Sequence, residues 1–230
     1  MSQNVLITGA NRGIGHALAR LAAERGDRVV GTARSAEGCA AIEALRAFGD
    51  VSAFMADATD PERSSALADM LADRPVDILI CNAGALIGRG GIEDPAYTRR
   101  AFETVLMTNV AGPFFTVRGF LPLLRKSSNP RVAIISSGMG SSARAKGNAY
   151  LYRASKAAAT NLAANLAVEL KPMGVAVAAY HPGWVRTEMG GAGAELTPDE
   201  SAAGLLARLG VLSLATTGAV EDYAGASIPF

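Results

Sequence analysis

The sequence has little cysteine and little histidine. It contains two cysteines, Cys39 and Cys81, and two histidines, His16 and His181. The cysteines lie far apart in the sequence and match neither a disulfide framework nor the spacing of zinc ligands. We therefore expect no metal site and no disulfide bond.

Long apolar runs and an excess of one charge are also missing. A membrane helix requires about 18 or more consecutive apolar residues, and no stretch of the sequence is that long. The N-terminus also lacks the pattern of a secretory signal. Lys and Arg number 22 against 21 Asp and Glu, a net charge of +1, and no basic run indicates a nucleic-acid surface. We predict a cytoplasmic protein that binds neither membranes nor nucleic acid.

What the chain does have is enough apolar residues for a core, arranged in an alternating pattern. Half of its 230 residues are hydrophobic, which suits a single domain over residues 1–230. Short apolar runs alternate with helical patterns, and this alternation predicts a parallel sheet with helices on both faces. The predicted strands are 4–7, 28–32, 51–55, 76–80, 131–135 and 175–180, and the main predicted helices are 16–25, 36–48, 61–73, a long segment within 95–125, and 150–171.

The first predicted strand runs into a turn rich in glycine. Gly9, Gly13 and Gly15 separate it from the helix that follows. Such a turn allows a pyrophosphate to approach the amides at the helix N-terminus, where the helix dipole favours an anion. The strand before it and the helix after it favour a dinucleotide site over an ordinary turn that happens to collect glycine.

The end of the second predicted strand bears on the choice of dinucleotide. Many folds of this type carry an acidic residue here that binds the adenosine ribose hydroxyls and would repel a 2′-phosphate. This chain has Ala33 and Arg34 instead. Arg34, helped by Arg12, could form charge-assisted bonds to that phosphate, so NADP(H) is favoured over NAD(H). The alternative is a solvated arginine at a strand end.

The predicted helix 150–171 carries a tyrosine and a lysine one turn apart. Tyr152 and Lys156 are four residues apart and share one helical face. A free phenol has a pKa of about 10, and a neighbouring ammonium group would lower it toward neutral pH, which suits an acid catalyst. Tyr150 lies off that face. The alternative is an amphipathic surface with a snorkelling lysine.

Further polar residues follow other strands or interrupt a helix. Asp57 follows the third strand and Asn82-Ala83-Gly84 the fourth, at the edge of the sheet where ligands bind, although Asp57 alone could equally cap a turn. Ser136-Ser137-Gly138 follows the fifth strand. Asn109 lies in a mostly apolar helical segment, which is unfavourable unless its amide binds backbone groups or a water.

Taken in order, these motifs resemble the short-chain dehydrogenase/reductase family over nearly the whole chain. The set is Thr8-Gly9-x-x-x-Gly13-x-Gly15, Asp57, Asn82-Ala83-Gly84, Asn109, Ser137, Tyr152-x-x-x-Lys156 and Pro182-Gly183-x-x-x-Thr187. The segments around His181-Pro182-Gly183-Trp184-Val185, 196–201 and 222–225 resemble the C-factor and sniffer-type carbonyl reductase branch. The resemblance implies a single doubly wound α/β Rossmann domain with a mostly parallel sheet of about seven strands.

The resemblance also implies roles for individual residues. Tyr152 would be the general acid or base, Ser137 would bond the substrate oxygen, Lys156 would lower the phenol pKa and hold the nicotinamide ribose, and Asn109 would keep a water in a proton relay. The NADP(H) site would comprise Gly9, Asn11, Arg12, Gly13, Ile14, Gly15, Arg34, Asp57, Ala58, Asn82, Ala83, Gly84, Tyr152, Lys156, Pro182, Gly183, Val185 and Thr187. Ser136, next to Ser137, stays open as an alternative.

The substrate end carries less information. Trp184, Met139 and the segment 86–92 are expected to line the mouth of the pocket, beneath a glycine-rich flap around 188–199 or an ordinary surface loop in its place. We expect a small-molecule carbonyl or alcohol substrate. A dinucleotide-binding signalling protein remains an alternative function, and the apolar faces of two long helices would suit a homodimer or homotetramer.

Overall fold

Seven parallel strands form one sheet in the computed structural model, which describes residues 2–230. Their spatial order is β3-β2-β1-β4-β5-β6-β7. The strands are Asn4–Thr8 (β1), Arg28–Ala33 (β2), Val51–Met55 (β3), Ile78–Cys81 (β4), Arg131–Ile135 (β5), Ala176–His181 (β6) and Val220–Asp222 (β7). The order reverses direction between β1 and β4, so a ligand crevice is expected at the carboxyl ends of these two strands.

Seven α-helices cover the two faces of the sheet. They are Gly13–Glu24 (α1), Ala36–Glu43 (α2), Pro61–Met70 (α3), Arg99–Leu106 (α4), Gly112–Leu124 (α5), Tyr150–Leu170 (α6) and Pro198–Val211 (α7). Helices α1, α2 and α7 contribute to the apolar core on one face, and α3, α5 and α6 to the core on the other. The predicted doubly wound α/β fold is confirmed.

The pleat of the strands divides their side chains between the two cores. In β1, Val5 and Ile7 pack against one set of helices while Leu6 packs against the other. Because successive side chains of a strand point to opposite faces, a strand covered on both sides must be apolar throughout. This requirement explains the uninterrupted apolar runs of the sequence.

The structure corrects several predicted boundaries. The predicted helix 36–48 is α-helical to Glu43 and continues as a 3₁₀ turn over Ala44–Ala47, and the predicted helix 61–73 ends at Met70. The segment within 95–125 is α4 and α5 joined by a π-helical turn over Met107–Ala111. Strand β7, which no sequence pattern predicts, has three residues and is too short for a clear pattern.

No helix within residues 2–230 combines the length and the apolar character that crossing a membrane requires.

Candidate active site

A cleft of about 1020 Å³ opens at the carboxyl edge of the sheet. The glycine turn, the ends of β2, β3, β4 and β5, the start of α6 and the segment after β6 all contribute to its walls. Its volume is at the upper end of the range of small-molecule sites. Most of the predicted dinucleotide residues line it, namely Gly9, Asn11, Arg12, Gly13, Ile14, Gly15, Arg34, Asp57, Ala58, Asn82, Ala83, Gly84, Tyr152, Lys156, Pro182 and Thr187.

The glycine turn packs closely against the segment after β4. Gly9 and Gly13 have positive φ angles of 66° and 55°, which other residues rarely adopt. At Gly15 an added Cβ would overlap the carbonyl oxygen of Gly9 and the side-chain amide of Asn82. That amide donates hydrogen bonds of 3.0 Å to the carbonyl oxygens of Thr8 and Gly9. Asn82 therefore holds the turn in place.

The N-terminus of α1 is left open to the cleft. No side chain caps its first amides, and its first turn contains no acidic residue. Free amides and the positive end of the helix dipole together favour an anion at this position. The predicted pyrophosphate position is thus electrostatically suited to its ligand.

The two arginines predicted to bind a 2′-phosphate differ in their contacts. Arg34 is exposed on the cleft wall and, among residues 2–230, has no carboxylate within salt-bridge distance. The guanidinium of Arg12 instead forms an ion pair with Glu188 across the cleft. A phosphate bound by Arg12 would have to displace Glu188, whereas one bound by Arg34 would displace no carboxylate of residues 2–230.

Asp57 follows the capping alternative that its position allowed. Its Oδ1 accepts hydrogen bonds of 2.9 Å from the main-chain amide and the hydroxyl of Thr59. It nevertheless lines the cleft together with Ala58, so a contact with the adenine remains a prediction.

Tyr152 and Lys156 lie at the floor of the cleft, and Ser137 adjoins the Tyr152 phenol from the loop after β5. Tyr152 and Lys156 are buried one turn apart on α6, and the Nζ of Lys156 lies 5.7 Å from the centroid of the Tyr152 ring. Ser137 interacts with the Tyr152 phenol closely enough to oppose the rise of the phenol pKa, and its hydroxyl accepts a bond of 3.1 Å from the main-chain amide of Met139. The predicted triad is brought together.

The protonation energetics differ from the sequence-based expectation. Burial raises the pKa of Tyr152, and the hydrogen bond with Ser137 and the charge of Arg89 only partly oppose that rise. Lys156 is itself buried, which lowers its pKa to about 8, and its Nζ donates 2.7 Å to the carbonyl oxygen of Ile135. The expected lowering of the phenol pKa by Lys156 is absent from this structure because the desolvation of both groups dominates.

The neighbouring serine has a different environment. The Oγ of Ser136 lies 3.0 Å from the carbonyl oxygen of Lys156 and 2.6 Å from the hydroxyl of Thr160. These partners belong to the buried side of α6, so the Ser136 hydroxyl is committed to packing. Ser137 is the serine that faces the phenol.

Asn109 lies in the π-helical turn and its amide is fully engaged. It donates 2.9 Å bonds to the carbonyl oxygen of Ala85 and to the hydroxyl of Ser155, and it accepts a bond of 2.8 Å from the main-chain amide of Ala85. Its side chain therefore ties the segment after β4 to α6. A water held by Asn109 remains a prediction.

The segment after β6 forms the other wall of the cleft. Val185 pairs with Leu196 in an isolated bridge, and the Nε1 of Trp184 donates 2.9 Å to the carbonyl oxygen of Gly190. Val185 is buried, whereas Trp184 is 54% exposed. The predicted flap 188–199 ends earlier than expected, because α7 begins at Pro198 with Thr197 as its capping residue.

Sequence reasoning missed Arg153, which holds the loop before α6. Its guanidinium donates to the main-chain carbonyls of Met139, Arg144 and Asn148 at 3.3, 3.1 and 3.0 Å. The loop 139–148 connects Ser137 to Tyr152, so Arg153 fixes one relative to the other. No sequence pattern indicates this role, because an arginine on a helix is usually solvated.

Comparison with known proteins identifies the family. The family model described as short chain dehydrogenase matches residues 3–195. The chain belongs to this family. The sequence is 36% identical to the C-signal protein of Myxococcus xanthus over 166 residues, which are 72% of this chain and 99% of that protein.

Solved structures of other short-chain dehydrogenases support the same assignment. The carbonyl reductase Sniffer of D. melanogaster superposes with a TM-score of 0.91 at 26% identity, covering 100% of both chains. The NADPH-bound carbonyl reductase from chicken fatty liver superposes with a TM-score of 0.88 at 29% identity, covering 100% of this chain and 99% of that one. The predicted resemblance to the C-factor and sniffer-type branch is thereby confirmed.

Proposed function

We propose that this short-chain dehydrogenase is an NADP(H)-dependent oxidoreductase that interconverts a carbonyl compound and its alcohol. The observation that carries the proposal is the pairing of Tyr152 and Lys156 at the floor of a cleft whose other end is the glycine turn, with Ser137 next to the phenol. A proton donor and a dinucleotide site at opposite ends of one cleft suit the transfer of a hydride and a proton to the same carbonyl group.

The residues present fit NADP(H). The uncapped N-terminus of α1 would bind the pyrophosphate, and Arg34 the 2′-phosphate. Gly15 leaves no room for a side chain because the turn packs closely against Gly9 and Asn82 there, as a dinucleotide-binding turn requires of its third glycine. The similar reductase from chicken fatty liver is described as NADPH-bound, which supports the same preference here.

Each residue at the floor of the cleft would have a distinct part in carbonyl reduction. Bound NADPH would supply the hydride. Ser137 would donate a hydrogen bond to the carbonyl oxygen and so orient it toward Tyr152, whose phenol would then transfer its proton to that oxygen. The charge of Lys156 would stabilise the phenolate left behind. Because Tyr152 and Lys156 are both buried, this charge would act with little screening by water.

The reduction rate should fall as the pH rises through about 8. Burial lowers the pKa of Lys156 to about 8 and raises that of Tyr152, so Lys156 loses its proton first. Above that pH the phenol is still protonated, but no ammonium group stabilises its anion. We expect kcat/KM for reduction at saturating NADPH to be constant below pH 7 and to decline above pH 8. A rate independent of pH between 6 and 9 would contradict this account.

The two serines provide a direct test of the proposed site. We expect Ser137→Ala to lower kcat by about 10²-fold or more, because a hydrogen-bond donor to the oxyanion is lost. Ser136→Ala should retain most of the activity, since the Ser136 hydroxyl bonds the core. The measurement is NADPH oxidation at 340 nm with a panel of aldehydes, ketones and quinones. Equal losses in the two variants would argue against the assignment of Ser137.

A signalling role is the second candidate, and the similarity to the C-signal protein favours it. The two functions make different predictions for turnover. A dinucleotide-binding signalling protein needs to bind NADPH but not to oxidise it, so tight binding without turnover on the whole panel would support this alternative.

A further inference from the structure

Arg89 is a cation beside the cleft, next to the lining residue Met189, that the proposed chemistry does not use. It lies in the loop after β4, its side chain is exposed, and its Nη2 donates to the main-chain carbonyl of Met189 on the opposite wall. Within residues 2–230, no Asp or Glu side chain comes within salt-bridge distance of it. A guanidinium has five N–H donors, so several remain free.

The backbone of this loop is held rigidly beside the catalytic helix. The Oδ2 of Asp94 accepts hydrogen bonds from the amides of Arg89 and Gly90 at 3.0 and 2.8 Å. The carbonyl oxygen of Gly90 accepts bonds from the amide of Ala149, at the start of α6, and from the hydroxyl of Tyr97, at 3.0 and 2.9 Å. The base of the Arg89 side chain is therefore fixed relative to Tyr152.

The charge of Arg89 acts electrostatically on the Tyr152 phenol. Burial is the main influence on the Tyr152 phenol and raises its pKa, but Arg89 is among the groups that oppose the rise. On the other side of Ser137, the guanidinium of Arg144 lies against Gly138, and it also has no carboxylate within salt-bridge distance among residues 2–230. Arg89 and Arg144 are thus two cations near Tyr152 and Gly138 that have no carboxylate partner among residues 2–230.

We infer that Arg89 binds a carboxylate group of the substrate, so that the preferred substrates are aldehydes or ketones that also carry a carboxylate. The inference rests on the proposed function and adds the class of substrate. The carbonyl oxygen lies at Ser137 and Tyr152, and the carboxylate extends toward the loop after β4. A planar guanidinium pairs with a carboxylate through two parallel hydrogen bonds, and Arg12 and Arg34 lie at the dinucleotide end, where the phosphates bind.

The test compares 4-formylbenzoate with its methyl ester, which presents the same aldehyde without the charge. The ratio of kcat/KM for the acid to kcat/KM for the ester should fall about 10- to 100-fold in Arg89→Gln, as the loss of a charge-assisted pair predicts. Any effect of Arg89 on the opposite wall through Met189 acts on both substrates and cancels in the ratio. Arg89→Lys keeps the charge but not the two parallel N–H donors of a guanidinium. Its acid-to-ester ratio of kcat/KM should lie between those of the wild type and Arg89→Gln.

Arg100→Gln is the matched control, because Arg100 is exposed on α4 and, unlike Arg89, is not among the charges that influence the Tyr152 phenol. It removes the same charge and should leave the ratio unchanged. An unchanged ratio in Arg89→Gln, or a wild-type enzyme that reduces the ester and rejects the acid, would overturn the inference.

The inference and the proposed function can fail separately. If neither of these aldehydes nor any compound of the panel is reduced, the proposed function fails, and binding of benzoate to the protein with NADP⁺ decides the inference by saturation-transfer NMR. Benzoate should then bind the wild type more tightly than benzamide, and Arg89→Gln should lose this difference. Equal binding of the two compounds by the wild type would overturn the inference.

Discussion

Tyr152→Phe is expected to lower kcat for carbonyl reduction by about 10²- to 10⁴-fold, the usual contribution of a positioned general acid. The substitution removes the hydroxyl that faces Ser137 and keeps the buried ring. Binding of NADPH should change little, because the glycine turn and Arg34 at the other end of the cleft are untouched. The measurements are steady-state kinetics and a fluorescence titration with NADPH.

Tyr150→Phe is the matched control for this prediction. Tyr150 lies two positions earlier on the same helix, is 42% exposed and packs edge-on against Tyr97. It should keep nearly full activity. If Tyr152→Phe remained active while Tyr150→Phe did not, the proton donor would have been assigned to the wrong tyrosine.

Arg34→Asp is expected to reduce the preference for NADPH over NADH by about 100-fold or more. The change removes charge-assisted hydrogen bonds to the 2′-phosphate and places a negative charge beside it, and both effects weaken NADPH alone. An aspartate near this position can also accept hydrogen bonds from the ribose hydroxyls of NADH. Separate titrations with NADPH and NADH give the ratio of the two Kd values.

Two further variants separate the causes. Arg34→Gln removes the charge without reversing it and should produce a smaller shift in preference. Arg100→Asp makes the same change in net charge on an exposed residue outside the cleft, and should leave the preference as it is. If the ratio of Kd values stayed constant in Arg34→Asp, the arginine would be the solvated strand-end residue that the sequence left as the alternative.

Much of the architecture could be read from local patterns. Strands covered on both faces are mostly apolar, so short segments rich in apolar residues mark β1, β2, β3, β4, β5 and β6 in the sequence. The glycine turn needs conformations that glycine adopts readily, which makes Gly9 and Gly13 visible in the sequence. The helical repeat alone places Tyr152 and Lys156 on one face of α6.

Other features depend on contacts between distant segments. The two serines after β5 are identical in sequence terms, and only the position of α6 shows that Ser136 bonds the core while Ser137 faces the phenol. The hydrogen bonds of Asn109 with Ala85 and Ser155 join three separate elements. No periodicity or spacing encodes such partners.

The sequence by itself determined the fold, the family, the glycine turn and the pairing of Tyr152 with Lys156. The tertiary structure decided which serine meets the phenol, how burial shifts the pKa values of Tyr152 and Lys156, and where the unpaired guanidinium of Arg89 lies. The physical reason is the difference between local and long-range interactions. Backbone conformation and side-chain periodicity are local, whereas desolvation and electrostatics depend on residues that only the fold brings together.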